Sequence, residues 1–205
     1  EMGAYYSNDR YVRNFFGYGN ETVNQEDQLD IDFYRGRVRQ FKSYVGMAYY
    51  HLRPRLIFES FQVKEMDNRF FNAQNLDSEA FTTQNYVGAE ISGYYDRENA
   101  GDFPTKAMYV GLSAGYKANL NIDNNRFGYA SIKAGFDHKL IPSGDLVLST
   151  MAEYKTNIGD NTYFFYHAPS IGGENGLRGF RDQRFTGRSY FYQNTDLKYR
   201  IKEYI

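Results

Sequence analysis

The segment 107–120, AMYVGLSAGYKANL, decides the fold because its apolar and polar residues alternate one by one. Every second residue from Met108 to Leu120 belongs to a mainly apolar face, whereas Ser113 and Lys117 belong to the opposite, more polar face. Residues two apart lie on the same face of a β-strand, and sustained alternation is typical of a strand with one apolar side. The segment therefore predicts a long amphipathic strand.

The same alternation recurs along most of the chain, although it is noisier in the first three segments that show it and Pro54 interrupts the second. The predicted strands are 27–41, 44–63, 84–98, 107–120, 128–140, 146–158 and 190–201. No segment has a helical pattern. Strands in globular proteins centre on about 5–6 residues, whereas a tilted strand needs about 9–11 residues to cross a membrane. The length of the predicted strands is therefore typical of membrane strands.

Short and long links alternate between these predicted strands. The links are at about 41–44, 64–83, 99–105, 121–126, 141–145 and 158–187. Outer-membrane barrels have short periplasmic turns and longer extracellular loops, and a soluble sandwich has no reason to sort its loops in this way. Only the link 121–126 fits this alternation weakly, because it is barely longer than its neighbours.

Composition excludes several classes of protein. The net charge of −1 over 205 residues gives no electrostatic basis for binding nucleic acid or another anionic partner. The chain has 21 Tyr and 17 Phe, which favour strands, and no run of 18 apolar residues, so no transmembrane helix is predicted. It has no Cys, which removes disulfides and thiolate ligands. Because it begins at Glu1 without a signal peptide and ends at Ile205 within an alternating segment, we interpret it as an internal piece of a longer protein.

Alternation alone leaves two all-β interpretations open: a soluble β-protein with its apolar face inside, and a membrane barrel with its apolar face outside. Three features favour the barrel. Many charged residues share the polar face, and the apolar face mixes Ala, Gly and Thr with Leu, which lipid tolerates better than a close-packed core does. Tyrosines and phenylalanines also cluster near strand ends, where an interfacial aromatic girdle would lie.

The last long link contains the segment 172–187, GGENGLRGFRDQRFTG, which has five glycines and several charged residues around two phenylalanines. With the strand that follows, it resembles the BamA and TamA family of outer-membrane assembly barrels, also called the bacterial surface antigen family. Members of that family also resemble two-partner secretion transporters.

The mark of the family is a long extracellular loop that reaches back into the barrel lumen, with a hydrophobic-Arg-Gly-aromatic motif at its tip. A carboxylate on the following strand faces the lumen. The matching motif residues here are Leu177, Arg178, Gly179 and Phe180, with the loop glycines Gly172, Gly173 and Gly187 around them. Counted from Gly187, the carboxylate is Asp196, which the alternation independently places on the polar face.

Physical chemistry supports a pair between Arg178 and Asp196. An arginine that leaves bulk water requires a partner, and a carboxylate accepts a guanidinium through two parallel hydrogen bonds. Gly179 allows a turn with positive φ or a close approach to the wall, and Phe180 is expected to pack against aromatic or apolar groups of the lumen. We predict that the pair holds the loop inside the barrel.

The resemblance implies an antiparallel transmembrane β-barrel of sixteen strands, in which the marked loop joins the eleventh strand to the twelfth. Residues 1–205 would then be a partial outer-membrane β-barrel domain with about seven to eight strands and a lumen-directed extracellular loop at 158–187. The implied location is the bacterial outer membrane, and the implied function is insertion or translocation of proteins there. Its implied partners are outer-membrane lipid, lipopolysaccharide, client outer-membrane proteins and accessory lipoproteins.

Two other functions stay open. The segment 14–22, NFFGYGNET, resembles loops of related barrels in Bacteroidetes-type bacteria, some of which carry an N-terminal calcineurin-like phosphoesterase domain. This second resemblance implies a barrel that anchors or exports an attached hydrolase. The third function is a porin-like channel, in which polar lumen residues tune permeation.

No catalytic, cofactor or metal site is predicted. His51, His138 and His167 lie far apart without ligand spacing. Serines lack the context of a nucleophile elbow, and no Lys-Ser/Thr pair follows GGENG as in a phosphate loop. The carboxylates are not paired for acid–base chemistry, so we do not predict an enzyme. For the basic segment 178–184, an anion-binding patch for lipopolysaccharide headgroups is the alternative to the lumen-anchored loop.

Overall fold

The computed structural model describes residues 1–8, 12–20, 32–99, 103–160, 163–173 and 176–201. Their regular structure is almost entirely antiparallel β-sheet, with two short 3₁₀ turns at Ser78–Phe81 and Phe165–His167. The strands are β1 (Met2–Ser7), β2 (Val12–Asn14), β3 (Arg35–Gly46), β4 (Leu52–Lys64), β5 (Gln84–Glu98), β6 (Lys106–Asn119), β7 (Arg126–Lys139), β8 (Leu146–Ile158), β9 (Ser170–Ile171), β10 (Phe185–Thr186) and β11 (Ser189–Tyr199). No helix in these ranges is long and apolar enough to cross a membrane.

Nine of the strands form one sheet in the order β1-β3-β4-β5-β6-β7-β8-β11, with β2 also paired to β3, while β9 and β10 form a separate hairpin-like pair. Every pairing in the large sheet is antiparallel. The predicted all-β antiparallel fold is therefore confirmed. Over the described ranges the sheet does not close on itself, so a barrel stays a prediction.

The predicted boundary between the first two long strands is wrong. The link expected at 41–44 lies inside β3, where Phe41 pairs with Ser60 of β4. The chain instead turns at 47–51, where Tyr49 and Leu52 exchange two backbone hydrogen bonds of 2.9 Å and Tyr50 adopts a φ of 52°. Such tight turns usually contain Gly, Asn or Asp, which tolerate positive φ, and the sequence MAYYH has none of them. Residues 27–31 of the first predicted strand lie outside the described residues.

The strand register separates two chemically different faces. On one face, which we call the polar face, Lys42 pairs with Glu59 and Lys133 pairs with Glu153. On the other, which we call the apolar face, large side chains are exposed, such as Leu56 at 62% and Leu112 at 54%. The alternation in the sequence therefore predicts the two faces correctly.

The links 65–83, 120–125 and 159–188 all leave the sheet at the same end of the strands, which we call the loop end. Near this end, an aromatic cluster covers the polar face. We name this cluster the aromatic plug. Its buried members are Phe15, Val38, Phe61, Val63, Phe71, Ala80, Tyr86, Phe127, Tyr163, Phe164, Phe165, Tyr166 and Ala168. Phe61 of β4 stacks on Tyr166 at 4.5 Å between ring centroids, and Phe165 packs on Phe15 at 4.9 Å. The principal core of the structure therefore lies against the polar face and leaves the apolar face exposed.

Candidate functional site

The loop between β8 and β11, residues 159–188, begins and ends at the loop end of the sheet but folds back over the polar face. Asp196 lies seven residues beyond Ser189, the first residue of β11, and it still contacts this loop. At about 3.3 Å per residue, that distance along the strand is roughly 23 Å. A second contact, from Asn194 Nδ2 to the carbonyl of Gly176 at 2.7 Å, lies on the same path. The tip of the loop is therefore close to the opposite end of the strand.

The structure brings the predicted partners Arg178 and Asp196 together. Arg178 Nη2 donates a hydrogen bond to Asp196 Oδ2 at 2.6 Å. A single hydrogen bond joins the pair here, whereas the sequence analysis expected two parallel ones. The two side chains are 64% and 41% exposed, and the neighbouring carboxylate raises the pKa of the Arg178 guanidinium.

Three of the predicted glycines have a conformational reason to be glycine. Gly179 has a φ of +87° with open space where a Cβ would point, so its positive φ is the requirement. Gly172 has a φ of +136°, and a Cβ there would also collide with the carbonyl of Arg181. Gly173 has a φ of +70°, whereas at Gly187 a Cβ would make an ordinary contact of 3.7 Å with Ser189. The turn around the motif therefore depends on Gly172, Gly173 and Gly179.

The two apolar residues of the motif differ in how deeply they are buried. Leu177 is half-buried, while the ring of Phe180 is half exposed and packs edge-on against Phe185 at 5.2 Å. The sequence analysis expected Phe180 to contact the wall, but its ring partner belongs to the same loop. The reason is the pairing of β10 with β9, which places Phe185 beside the turn that contains Phe180.

The segment 14–19 supports the loop from its other side. Asn14 donates two hydrogen bonds to the loop, from its backbone N–H to Gln183 Oε1 at 2.9 Å and from its Nδ2 to the carbonyl of Asp182 at 3.1 Å. The backbone N–H of Gly19 donates to Thr186 at 2.8 Å. The segment 14–22 and the loop motif, which are far apart in the sequence, are thus neighbours; residues 21–22 lie outside the described ranges.

A buried charge cluster lies beneath the aromatic plug and was missed by the sequence analysis. Glu59 is 1% exposed. Its Oε1 contacts Lys42 Nζ at 2.8 Å, and its Oε2 contacts Lys117 Nζ at 2.6 Å and His167 Nε2 at 3.0 Å. The alternation places Glu59 on the polar face, but it carries no information on which cations the register brings to it. His167, which the sequence analysis treated as isolated, connects the loop to this cluster.

Hydrogen bonding assigns the tautomer of His167. Because a carboxylate only accepts hydrogen bonds, the Nε2 of His167 carries the proton that Glu59 accepts. Its Nδ1 is buried and has no hydrogen-bond partner in the part of the chain that the structure describes. Burial, together with the charge of Lys117, lowers the pKa of His167 to about 3. The imidazole is therefore neutral at physiological pH.

Each oxygen of Glu59 has a cationic or N–H partner. Over the described ranges, no group of three or more His, Asp or Glu residues is placed to hold a metal ion.

Replacing Arg178 or Asp196 should loosen the loop. We expect Arg178→Ala and Asp196→Ala each to increase proteolytic cleavage within 159–188 severalfold, and the double variant to be no more sensitive than either single one, because all three lack the same contact. Limited proteolysis of the folded protein measures this. Arg181→Ala, which changes a neighbouring exposed arginine, is the control. Additive effects of the two alanine substitutions would contradict the coupling.

Stability should depend on pH through His167. Because its folded pKa of about 3 lies below the unfolded value of about 6.5, the unfolded chain binds more protons between these values. The contribution is complete above pH 6.5 and is lost as the pH falls toward 3; from pH 7 to pH 5 the loss is about 2 kcal/mol. Urea unfolding at both pH values measures it. His167→Gln keeps a donor for Glu59 and should remove most of this pH dependence; an unchanged slope would refute the assignment.

Comparisons with protein families, with curated proteins and with solved structures find no match to this chain. The likeness of Leu177–Phe180 and Asp196 to the BamA and TamA family therefore rests on the sequence of those residues alone.

Proposed function

We propose that this chain forms part of the wall of an outer-membrane β-barrel. The observation that carries the proposal is the inverted distribution of side chains: the apolar face is exposed, with Leu112 at 54% and Leu197 at 63%, while Glu59 is buried on the polar face. A soluble antiparallel sheet packs its apolar face on a core and turns its polar face to water. A strand wall in lipid does the opposite, with apolar residues outward and polar residues inward.

The two edges of the sheet support the same proposal. The strand β11 pairs only with β8, and β1 pairs only with β3, within the described ranges. Unpaired backbone groups are strongly unfavourable in hydrocarbon, so a sheet in a membrane has to close. We therefore propose that further strands complete the barrel, in the sixteen-stranded arrangement that the resemblance implies.

The finer proposal is that the barrel belongs to the BamA and TamA family and acts in insertion or translocation of proteins at the bacterial outer membrane. The fold-back of the loop 159–188 supports it, because the tip with Leu177–Phe180 lies over the polar face and Arg178 contacts Asp196. In this proposal the polar face lines the lumen, and the partners are lipid, lipopolysaccharide, client barrels and accessory lipoproteins.

A plain channel fits the structure less well. The aromatic plug fills space over the polar face at the loop end, where a porin-like pore would be open. The hydrolase-anchor alternative rests on the segment 14–22, whose described part packs on the loop; the catalysis would then lie in another domain.

A charge in the middle of the apolar face should impair folding of the chain into lipid. Leu112 lies at the middle of β6, so Leu112→Arg should cost about 2–4 kcal/mol in a bilayer. Leu120→Arg, a matched change just beyond the loop end of the same strand, should cost about 0–1 kcal/mol because burial of the charge depends on depth. Folding into vesicles, followed by the gel shift between unheated and heated samples, measures both. A Leu112→Arg variant that folds as well in lipid as the parent, or that is soluble and folded without detergent, would contradict a membrane wall.

Loss of the loop contact should impair assembly of other outer-membrane proteins. In cells that depend on the full-length protein, Arg178→Ala should reduce the folded amounts of unrelated barrels severalfold, whereas Arg181→Ala should not. Quantitative analysis of outer membranes measures this effect.

Normal levels of other barrels after depletion of the protein would exclude the assembly function. Conductance in planar bilayers that survives deletion of 172–187 would instead favour the channel.

A further inference from the structure

Beneath the aromatic plug, the polar face contains a cavity of about 360 Å³ that the proposed function does not use. Its walls are polar, and they come from the strands β2 to β8 and from the segment after Phe165. At about 30 Å³ per water molecule, the cavity has room for about a dozen waters. It is therefore large enough for a small polar ligand with part of its hydration shell.

Positive charge predominates on the walls of this cavity. Four cations face two carboxylates: the cations are Arg13, Lys42, Lys117 and Lys155, and the carboxylates are Glu59 and Glu90. Both carboxylates are already engaged, Glu59 by its two lysines and His167, and Glu90 by the hydroxyl of Tyr129 at 2.8 Å. His167 is neutral and does not change this balance. Among the described residues that line the cavity, four cations therefore face two carboxylates.

Lys155 is the wall cation that lacks a direct partner. It lies in the half of β8 that is nearer the loop end, and it is half-buried. Within the described ranges it forms no hydrogen bond or ion pair. The carboxylates of Glu153 and Glu90 attract it only at longer range, whereas Arg13 and Lys42 repel it. Two neighbouring cations repel the half-buried ammonium group. An opposite charge nearby stabilises such a group, so this position favours a bound anion.

We propose that this cavity binds a small oxyanion, namely a phosphate group, free or as the monoester of a small polar molecule, with Lys155 as its principal ligand. Lys42 and Arg13 flank it with further positive charge, and the amide of Gln40 and the hydroxyl of Ser170 line the same space. Lysine binds phosphate as a point charge through charge-assisted hydrogen bonds. Partial burial of Lys155 reduces screening by water and salt, which strengthens the attraction relative to a fully exposed lysine.

The test is calorimetric titration of the full chain, folded in detergent micelles, with inorganic phosphate and separately with glycerol phosphate. Wild type should bind at least one of them, and Lys155→Gln should weaken that binding by about 10- to 100-fold, the range expected for a charge-assisted hydrogen bond. Lys155→Arg keeps the charge and should stay within a few-fold of wild type. Binding of inorganic phosphate identifies the free ion as sufficient, and binding of glycerol phosphate alone identifies the monoester.

Lys139→Gln is the matched control. Lys139 lies on the polar face of the neighbouring strand β7, at the end opposite the loop end and outside the cavity, and its substitution changes the net charge by the same amount. Near-ultraviolet circular dichroism of the tyrosines establishes that each variant is folded. Wild type alone supplies a second measurement: its unfolding temperature should rise with phosphate concentration but not with sodium chloride of equal ionic strength. Absence of binding by both ligands, or equal weakening by Lys155→Gln and Lys139→Gln, would overturn the proposal.

Discussion

The buried carboxylate of Glu59 is the constraint on which the arrangement over the polar face depends. An ionised carboxylate removed from water is unfavourable unless cations and hydrogen-bond donors surround it. Lys42 of β3, Lys117 of β6 and His167 of the loop supply them. The carboxylate therefore connects three strands of the sheet to a loop more than one hundred residues away in the sequence.

The net contribution of such a cluster to stability is small compared with the cost of breaking it. Desolvation of the ions offsets much of the attraction between them, so a buried ion pair is weak evidence for net stability, while removal of one member is strongly unfavourable. The aromatic plug supplies the apolar burial: Phe61 and Tyr166 stack directly above the charged groups, and Tyr86 packs on the ring of His167 at 4.4 Å. The hydrogen bond between Glu59 and His167 joins the charge cluster directly to the packed rings of the plug.

The sequence predicts local features of this structure much better than its long-range contacts. Alternation with period two identifies Asp196 as a polar-face residue and Leu112 as an apolar-face residue, since the period of a strand is independent of its partners. The turn at 47–51 was not predicted because Tyr50 adopts a positive φ in a segment that contains no Gly, Asn or Asp. The charge cluster around Glu59 was missed for a different reason. Its cations come from two other strands, and register between distant strands is not encoded in either strand alone.

The loop 159–188 is held at two levels by interactions of different kinds. Near the loop end, His167 and the aromatic plug bind it through buried contacts, and farther along the strand the exposed pair Arg178–Asp196 binds its tip. Exposed ion pairs contribute little to stability and are screened by salt, whereas the buried level is insensitive to salt and sensitive to protonation of the imidazole. Release of the tip therefore does not require release of the plug. A cationic group that competes for Asp196 would break the contact with Arg178 while the polar face near Glu59 stays covered.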